Sequence, residues 1–334
     1  KDLGGGAYGR VYEIERTISG IQEKAALKIV SRPKNKDEIE SYYNEGYSKA
    51  DLIASYESEI QNYVQEYKLM KELQGESNIV SCDDFTMVPH EDGIGGDIFI
   101  RMELLTSLQQ ILRERSLSEQ EIIKLGKDIA SALVLCESKN IIHRDIKPAN
   151  IMVSQFGNYK LGDFGVSKIM DHATFATPMG TPEYQAPEVV HMERYGQAAD
   201  IYSLGITLYW LLNNRRMPFI DANQQITLVV KNEAMDRRYR GEKLPAPKNG
   251  SAKLKKIVLK ACEYHPENRY ASAQEMYDAL DTLETGKILS NPVPVEDPES
   301  TGGTDGISMD PVTVEDLGST GDQTGGNSWS GKGE

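Results

Sequence analysis

Between Ile141 and Val153 two short apolar runs bracket a dense charged segment. Ile141-Ile142 leads into His143-Arg144-Asp145-Ile146-Lys147-Pro148-Ala149-Asn150, and Ile151-Met152-Val153 follows. A run of charges is usually a solvated face. Charges held between two buried strands are costly unless they are paired or perform chemistry. A Tyr159-Lys160-Leu161 strand comes next and ends on Asp163-Phe164-Gly165, 18 residues after Asp145. The two aspartates then meet at the mouth of one hairpin. Asp145, Asn150 and Asp163 offer hard oxygen ligands or proton acceptors, and Lys147 is a point positive charge. Together they suit a divalent metal, a phosphate and a hydroxyl nucleophile. The rest of the chain has to be arranged around this stretch.

Upstream, residues 1–30 alternate as strands do. Arg10 to Glu15 follows a glycine cluster and Lys24 to Val30 follows that, so a glycine-turned hairpin and a third strand are expected. From Pro33 to Leu73 the pattern becomes helical, with Tyr63, Tyr67, Met70 and Leu73 on one face, and at least one long helix is expected. Ile79 to Val88 and Asp97 to Glu103 read as strands joined by a turn. After Leu105 helical periodicity dominates: Ser107 to Arg115, Ser118 to Ser138, Gln197 to Asn213, Ser251 to Tyr264 and Ser272 to Glu284. Ser118 stands three residues before Glu121, as in a capping box. The pattern predicts an α+β chain with a small sheet-rich lobe over about 1–103 and a larger helical lobe over about 106–284.

Gly4-Gly5-Gly6-Ala7-Tyr8-Gly9 fits G-x-G-x-x-G, a spacing that ordinary turns and dinucleotide folds also use. A dinucleotide fingerprint opens a helix, whereas here a strand follows and then Ala26-Leu27-Lys28 on a third strand. That order points to a flap over nucleotide phosphates. Lys28 by itself reads as one more exposed strand lysine, and a buried carboxylate partner would change that. Both Glu59 and Glu66 lie on the predicted helix, and Glu66 is favoured as the partner.

These ordered motifs resemble the eukaryotic-type Ser/Thr protein kinase family, with wording closest to its bacterial members. The resemblance runs from Gly4 to about Leu283. Gly180 to Glu188 resembles the family's substrate-docking loop and closing Ala-Pro-Glu, Asp200 to Gly205 the start of its central buried helix, and Arg269 the partner of Glu188. The resemblance implies a bilobal fold that uses ATP with magnesium or manganese. Leu3, Gly4, Gly6, Gly9, Val11, Ala26 and Met152 would line the nucleotide, with Met102 as gatekeeper and Glu103 to Leu105 offering backbone groups to adenine. Lys28, held by Glu66, would contact the α and β phosphates. Asn150 and Asp163 would hold the metal, Asp145 would orient and deprotonate the substrate hydroxyl, and Lys147 would offset charge on the transferred group. Lys147 with Thr181 is the family's pattern for serine and threonine substrates. Arg144 next to Asp145 implies a switch by phosphorylation between Asp163 and Glu188, at Thr174 or Thr177. The implied partners are protein substrates, including a second copy of the chain through autophosphorylation in trans.

Several features depart from the family pattern or lie outside it. The segment from Ser31 to Glu59 is long, polar and rich in tyrosine (Tyr42, Tyr43, Tyr47, Tyr56), and would extend the helix or dock a partner. From Thr285 the composition turns to Gly, Ser, Thr, Asp, Glu and Pro, so residues 285–334 are expected to be a disordered acidic tail. Its nine acidic and two basic residues carry half of the net charge of −14, and that balance argues against nucleic-acid partners. Cys82, Cys136 and Cys262 stand far apart, which suits a reducing, cytoplasmic setting. The longest apolar run, Leu204 to Leu212, is too short to span a bilayer. With no initiator Met before Lys1, the first strand is expected to be cut short. The rival function is a catalytically silent pseudokinase acting as a scaffold. A small-molecule kinase is disfavoured by the docking loop.

Overall fold

The computed structural model describes residues 1–6, 9–164, 168–169 and 180–285, all within one compact unit spanning Lys1–Leu289. Its first part is a five-stranded antiparallel sheet in the order β1-β2-β3-β5-β4. The strands are β1 (Asp2–Gly6), β2 (Gly9–Ile18), β3 (Ile21–Arg32), β4 (Cys82–Pro89) and β5 (Gly96–Met102). Ser19 and Gly20, both at positive φ, turn β2 into β3 so that Ile18 faces Ile21. That is the two-residue turn whose twist matches a right-handed hairpin. The expected strand from Ile79 begins at Cys82, and Ile79 instead makes an isolated parallel bridge to Leu161.

The polar insertion builds helix. α1 (Lys36–Asn44) is capped by Asn35, and α2 (Lys49–Glu72) opens on a Ser48/Asp51 capping box. Gly46, at φ +94°, separates the two. Of the two roles left open for the segment, extension of the helix is what the structure shows. Leu52 and Tyr56 of α2 bury themselves against Ile94, in the β4–β5 turn, and against Ile39 and Tyr42 of α1. Further along, Ile60, Leu69 and Met70 join the main core.

The second part is helical, with short hairpin strands at its near edge. After β6 (Thr106–Ser107) come α3 (Leu108–Glu114), α4 (Glu119–Ser138), β7 (Ile141–Ile142), β8 (Ile151–Val153), β9 (Tyr159–Leu161) and β10 (Lys168–Ile169). Then follow α5 (Pro187–Val190), α6 (Ala198–Leu212), α7 (Leu228–Tyr239), α8 (Ala252–Ala261) and α9 (Ala273–Thr285). β8 pairs with β9, as expected of the charged stretch, and β7 pairs with β10, a strand the sequence did not suggest. The Ser118/Glu121 capping box opens α4. Gly126 of α4 allows close passage of α9, since a Cβ there would meet Leu280 at 2.8 Å. α6 is buried nearly all round and forms the centre of this lobe. α7 was not expected from the sequence. Its buried residues are Ala234 and Arg238, so it shows no apolar stripe. The three cysteines are free and buried.

Candidate active site

The segment His143 to Asn150 is folded by bonds to its backbone. Asp200, buried at the start of α6, accepts the N–H of His143 at 2.7 Å and of Arg144 at 2.9 Å. These two bonds hold Arg144 at φ +70°, a conformation costly for a non-glycine residue. Burial pushes the Asp200 carboxyl up, against the pull of His143 and the two N–H donors. The His143 ring bonds the Gly162 carbonyl at 3.0 Å and meets the buried Phe164 edge-on at 4.8 Å. Asp145 is thereby presented beside the β8–β9 hairpin.

Four donors converge on the Asp145 carboxylate. Lys147 Nζ (2.6 Å) and Asn150 Nδ2 (2.9 Å) donate to Oδ2, and Thr181 N and Oγ1 (2.9 Å each) donate to Oδ1. Lys147 Nζ also reaches Thr181 Oγ1 at 2.6 Å. Asn150 Nδ2 is further engaged by the Asp145 carbonyl at 2.8 Å. With its nitrogen committed, the other end of the Asn150 side chain is an oxygen acceptor. It lies across the hairpin from Asp163, whose φ is +60°.

Lys28 links the lobes. Its ammonium donates to Asp163 Oδ1 at 3.1 Å and to Glu66 Oε1 at 3.4 Å. Burial pulls the lysine down, but the two carboxylates more than reverse it and hold it above its ordinary value. Burial raises the Glu66 carboxyl, with Lys28 opposing and Asp163 adding to the rise. Asp163 feels the same burial, yet Lys28, then His143 and Lys147, keep it below the usual carboxylate range. Glu66 is therefore the partner of Lys28, as expected, while Glu59 pairs with Arg32 at 3.1 Å.

Between the lobes the sheet supplies the remaining expected residues. Gly4 faces Val11 across β1–β2 and Gly6 faces Gly9. A Cβ on Gly9 (φ +114°) would sit 2.4 Å from the Ile29 carbonyl, whereas one on Gly4 would meet nothing within 4 Å. Leu3 is exposed, Ala26 is buried opposite Met102, and Met152 packs half-buried below. Glu103 corrects one expectation in part. Its N–H is committed to the Ser81 carbonyl at 3.1 Å, and its carboxylate to Ser81 N and Lys160. Of the backbone groups expected to face adenine, the Glu103 donor is thus already used.

This arrangement agrees with the comparisons. The protein kinase domain family matches residues 1–279. The chain belongs to the protein kinase family. It is 31% identical over 294 residues to the carbon catabolite-derepressing protein kinase of Saccharomyces cerevisiae, covering 87% of this chain and 41% of that protein. A probable serine/threonine-protein kinase of Clostridium perfringens is 34% identical over 185 residues, 53% of this chain and 26% of that one. The human RAC-beta serine/threonine-protein kinase is 31% identical over 198 residues, 59% of this chain and 37% of its own. The chain thus spans less than half the length of these curated relatives.

In this family member the loop from Gly180 to Glu188 is fastened by buried side chains. Glu188 and Arg269 form a buried bidentate pair with both bonds at 2.7 Å. Arg238 on α7 donates to the carbonyls of Glu183 (2.6 Å) and Pro182 (3.3 Å). Sequence reasoning missed Arg238, because its helix carries no apolar period, and missed the Arg32–Glu59 pair. Arg144 lies over the Tyr195 ring, 5.8 Å from its centre, and its Nε and Nη2 are buried without a hydrogen-bond partner among the described residues. Thr174, Thr177 and Gly165 lie outside the described residues. Among those described, no helix is long and apolar enough to cross a membrane.

Proposed function

We propose that the chain is an ATP-dependent protein serine/threonine kinase whose residues 1–284 form the kinase domain and whose residues 285–334 form an acidic tail. The observation that carries the reading is the Asp145 carboxylate held by Lys147, Asn150 and Thr181, with the Lys28–Asp163–Glu66 chain beside it. A serine or threonine hydroxyl of a protein substrate would bond to Asp145, which fixes its lone pair toward the γ-phosphorus and takes its proton as the new P–O bond forms and ADP leaves. Lys147 offsets the charge on the phosphoryl oxygens during transfer. Lys28 would position the α and β phosphates.

The donor set fits a hard divalent cation, Mg2+ or Mn2+, because Asp163 and the Asn150 side-chain oxygen are hard oxygen donors and nucleotide phosphates would complete the sphere. When bound, the cation neutralises phosphate charge. Leu3, Gly4, Gly6, Gly9, Val11, Ala26 and Met152 would cover the nucleotide, with Met102 and the remaining backbone groups of Glu103 to Leu105 along the adenine edge.

Regulation by phosphate at Thr174 or Thr177 belongs to the same reading, and what supports it is Arg144. Burial lowers that guanidinium's pKa, and two of its nitrogens lack partners among the described residues, so an added phosphate dianion would supply a counter-charge. The phosphate would come from a second copy of the chain acting in trans, with the kinase domain facing the cytosol.

Incubation with labelled ATP, magnesium and a generic protein substrate tests the reading. Transfer to serine and threonine is expected, lost in Asp145→Ala. No transfer by the unaltered chain would favour a silent scaffold instead. After ATP treatment, mass spectrometry should find phosphate on Thr174 or Thr177. Phosphate confined to residues 285–334 would refute the switch.

A further inference from the structure

Glu66 is poorly equipped to hold itself on Lys28. Their contact is 3.4 Å, longer than the 3.1 Å from Lys28 to Asp163, and the second oxygen of Glu66 is buried with no hydrogen-bond partner among the described residues. A buried carboxylate so weakly tied gains little by staying charged and in place. Something else has to set the position of α2 against β3.

Arg32 is placed to do so. It lies four residues after Lys28 on β3, so both side chains leave the same face of the strand. Its Nε pairs with Glu59 Oε2 at 3.1 Å and its Nη2 donates to the Tyr63 hydroxyl at 2.7 Å, while the guanidinium also packs over the Tyr63 ring. Glu59 precedes Glu66 by seven residues on α2, two helical turns along the same face. Four strand residues span roughly 13 Å and seven helical residues roughly 10 Å. Two cations on the strand therefore meet two carboxylates on the helix as parallel rungs. The rungs differ in strength of anchorage, since Arg32 holds α2 at two side chains and Lys28 is shared between lobes.

We infer that Arg32, through Glu59 and Tyr63, is a positioning residue that keeps Glu66 on Lys28. This rests on the kinase reading above, because it assigns Arg32 an effect on phosphate transfer. The Leu52, Tyr56 and Ile94 cluster, with Tyr56 donating to Glu38 of α1 at 3.0 Å, fixes the near end of the same helix. α2 is then set from within the chain along its length, by the insertion that the family resemblance left unexplained.

The test measures transfer and backbone exchange in Arg32→Met, Glu59→Gln and Arg32→Lys, each alone and in a Glu66→Gln background. Arg32→Met is expected to lower kcat by about tenfold and Glu59→Gln by about threefold, with KM for the protein substrate little changed. Arg32→Lys, which can still reach Glu59, should recover at least about half of the lost kcat. In the Glu66→Gln background the further loss from Arg32→Met should fall below about twofold, because the effect passes through Glu66. Hydrogen exchange over residues 59–70 should quicken by about fivefold or more while α4 is unchanged. A full loss of kcat retained in the Glu66→Gln background, or unchanged exchange over 59–70, would overturn the inference. If the unaltered chain transfers no phosphate, the kinase reading fails and the exchange result alone decides the role of Arg32. Should Arg32→Met not fold, the half-exposed Glu59→Gln carries the same comparisons.

Discussion

Replacing Glu188 by Gln removes the counter-charge of a buried, fully hydrogen-bonded Arg269. The Arg269 guanidinium has five N–H donors, and all are engaged: two on Glu188 at 2.7 Å, and one each on the carbonyls of Glu263 (2.8 Å), Ala198 (2.9 Å) and Tyr264 (3.0 Å). The paired side chains are 0% and 5% exposed, so water cannot replace a lost partner. In Glu188→Gln one oxygen becomes an NH2 facing a donor, and the buried cation loses its counter-charge. Breaking one side of such a pair costs about 3–5 kcal/mol. Against a total stability of about 5–15 kcal/mol this is large, and at about 2–4 °C per kcal/mol it lowers the thermal midpoint by about 6–20 °C. Urea unfolding at a constant denaturant slope checks the value. Arg269→Met should cost a similar amount, and the double variant Glu188→Gln/Arg269→Met less than the sum, because no unpaired cation remains. Single variants each costing under about 1 kcal/mol, or a strictly additive double, would refute the reasoning that this pair fastens the Gly180–Glu188 loop.

Three further outcomes follow from named contacts. Gly9→Ala combines a positive φ with a Cβ 2.4 Å from the Ile29 carbonyl, and should destabilise by about 1–3 kcal/mol in thermal unfolding without nucleotide. Gly4→Ala shares the positive φ, at +121°, but its Cβ meets open space, so it should cost less. Thr181→Val keeps the shape but removes the hydroxyl shared by Asp145 and Lys147, so steady-state assays should show kcat down by about tenfold with the thermal midpoint nearly unmoved. Glu121 is held down to about 2 by its bond from Arg115, then by the Ser118 N–H of the α4 capping box. A carboxyl depressed in the folded state stabilises above its unfolded pKa and loses that contribution as pH falls through the folded value. The half-exposed partner screens the pair, so Glu121→Gln should cost about 1 kcal/mol in urea midpoints at pH 7, shrinking between about pH 4.5 and 2.

Much of the site is legible from the chain because its groups are local. Asp145, Lys147 and Asn150 share one turn, and the hairpin that brings Asp163 across is announced by Ile151 to Val153 and Tyr159 to Leu161. The glycine string and Lys28 are marked by residue type and order, whereas the Glu188–Arg269 pair is legible only through the family resemblance. The capping box of α4 and the buried centre at α6 are likewise written in the residues themselves. α7 is different. It is tied in through Arg238, which reaches the backbone of the Gly180–Glu188 loop, and a polar segment held by such bonds has no apolar period to betray it.

The choice between Glu59 and Glu66 shows where local pattern stops. Seven residues apart, the two carboxylates occupy the same face of one helix, and periodicity treats them alike. Residue type determined that a strand cation would meet a helix acid. Which acid meets which cation depends on how far α2 slides along β3, a quantity set by Leu52, Tyr56 and Ile94 packing at one end, the main core at the other and the Arg32 contacts between them. Only the tertiary structure decides that axial position, since it arises from burying surfaces brought together from distant parts of the chain. It puts Glu66 on Lys28 and gives Glu59 to Arg32.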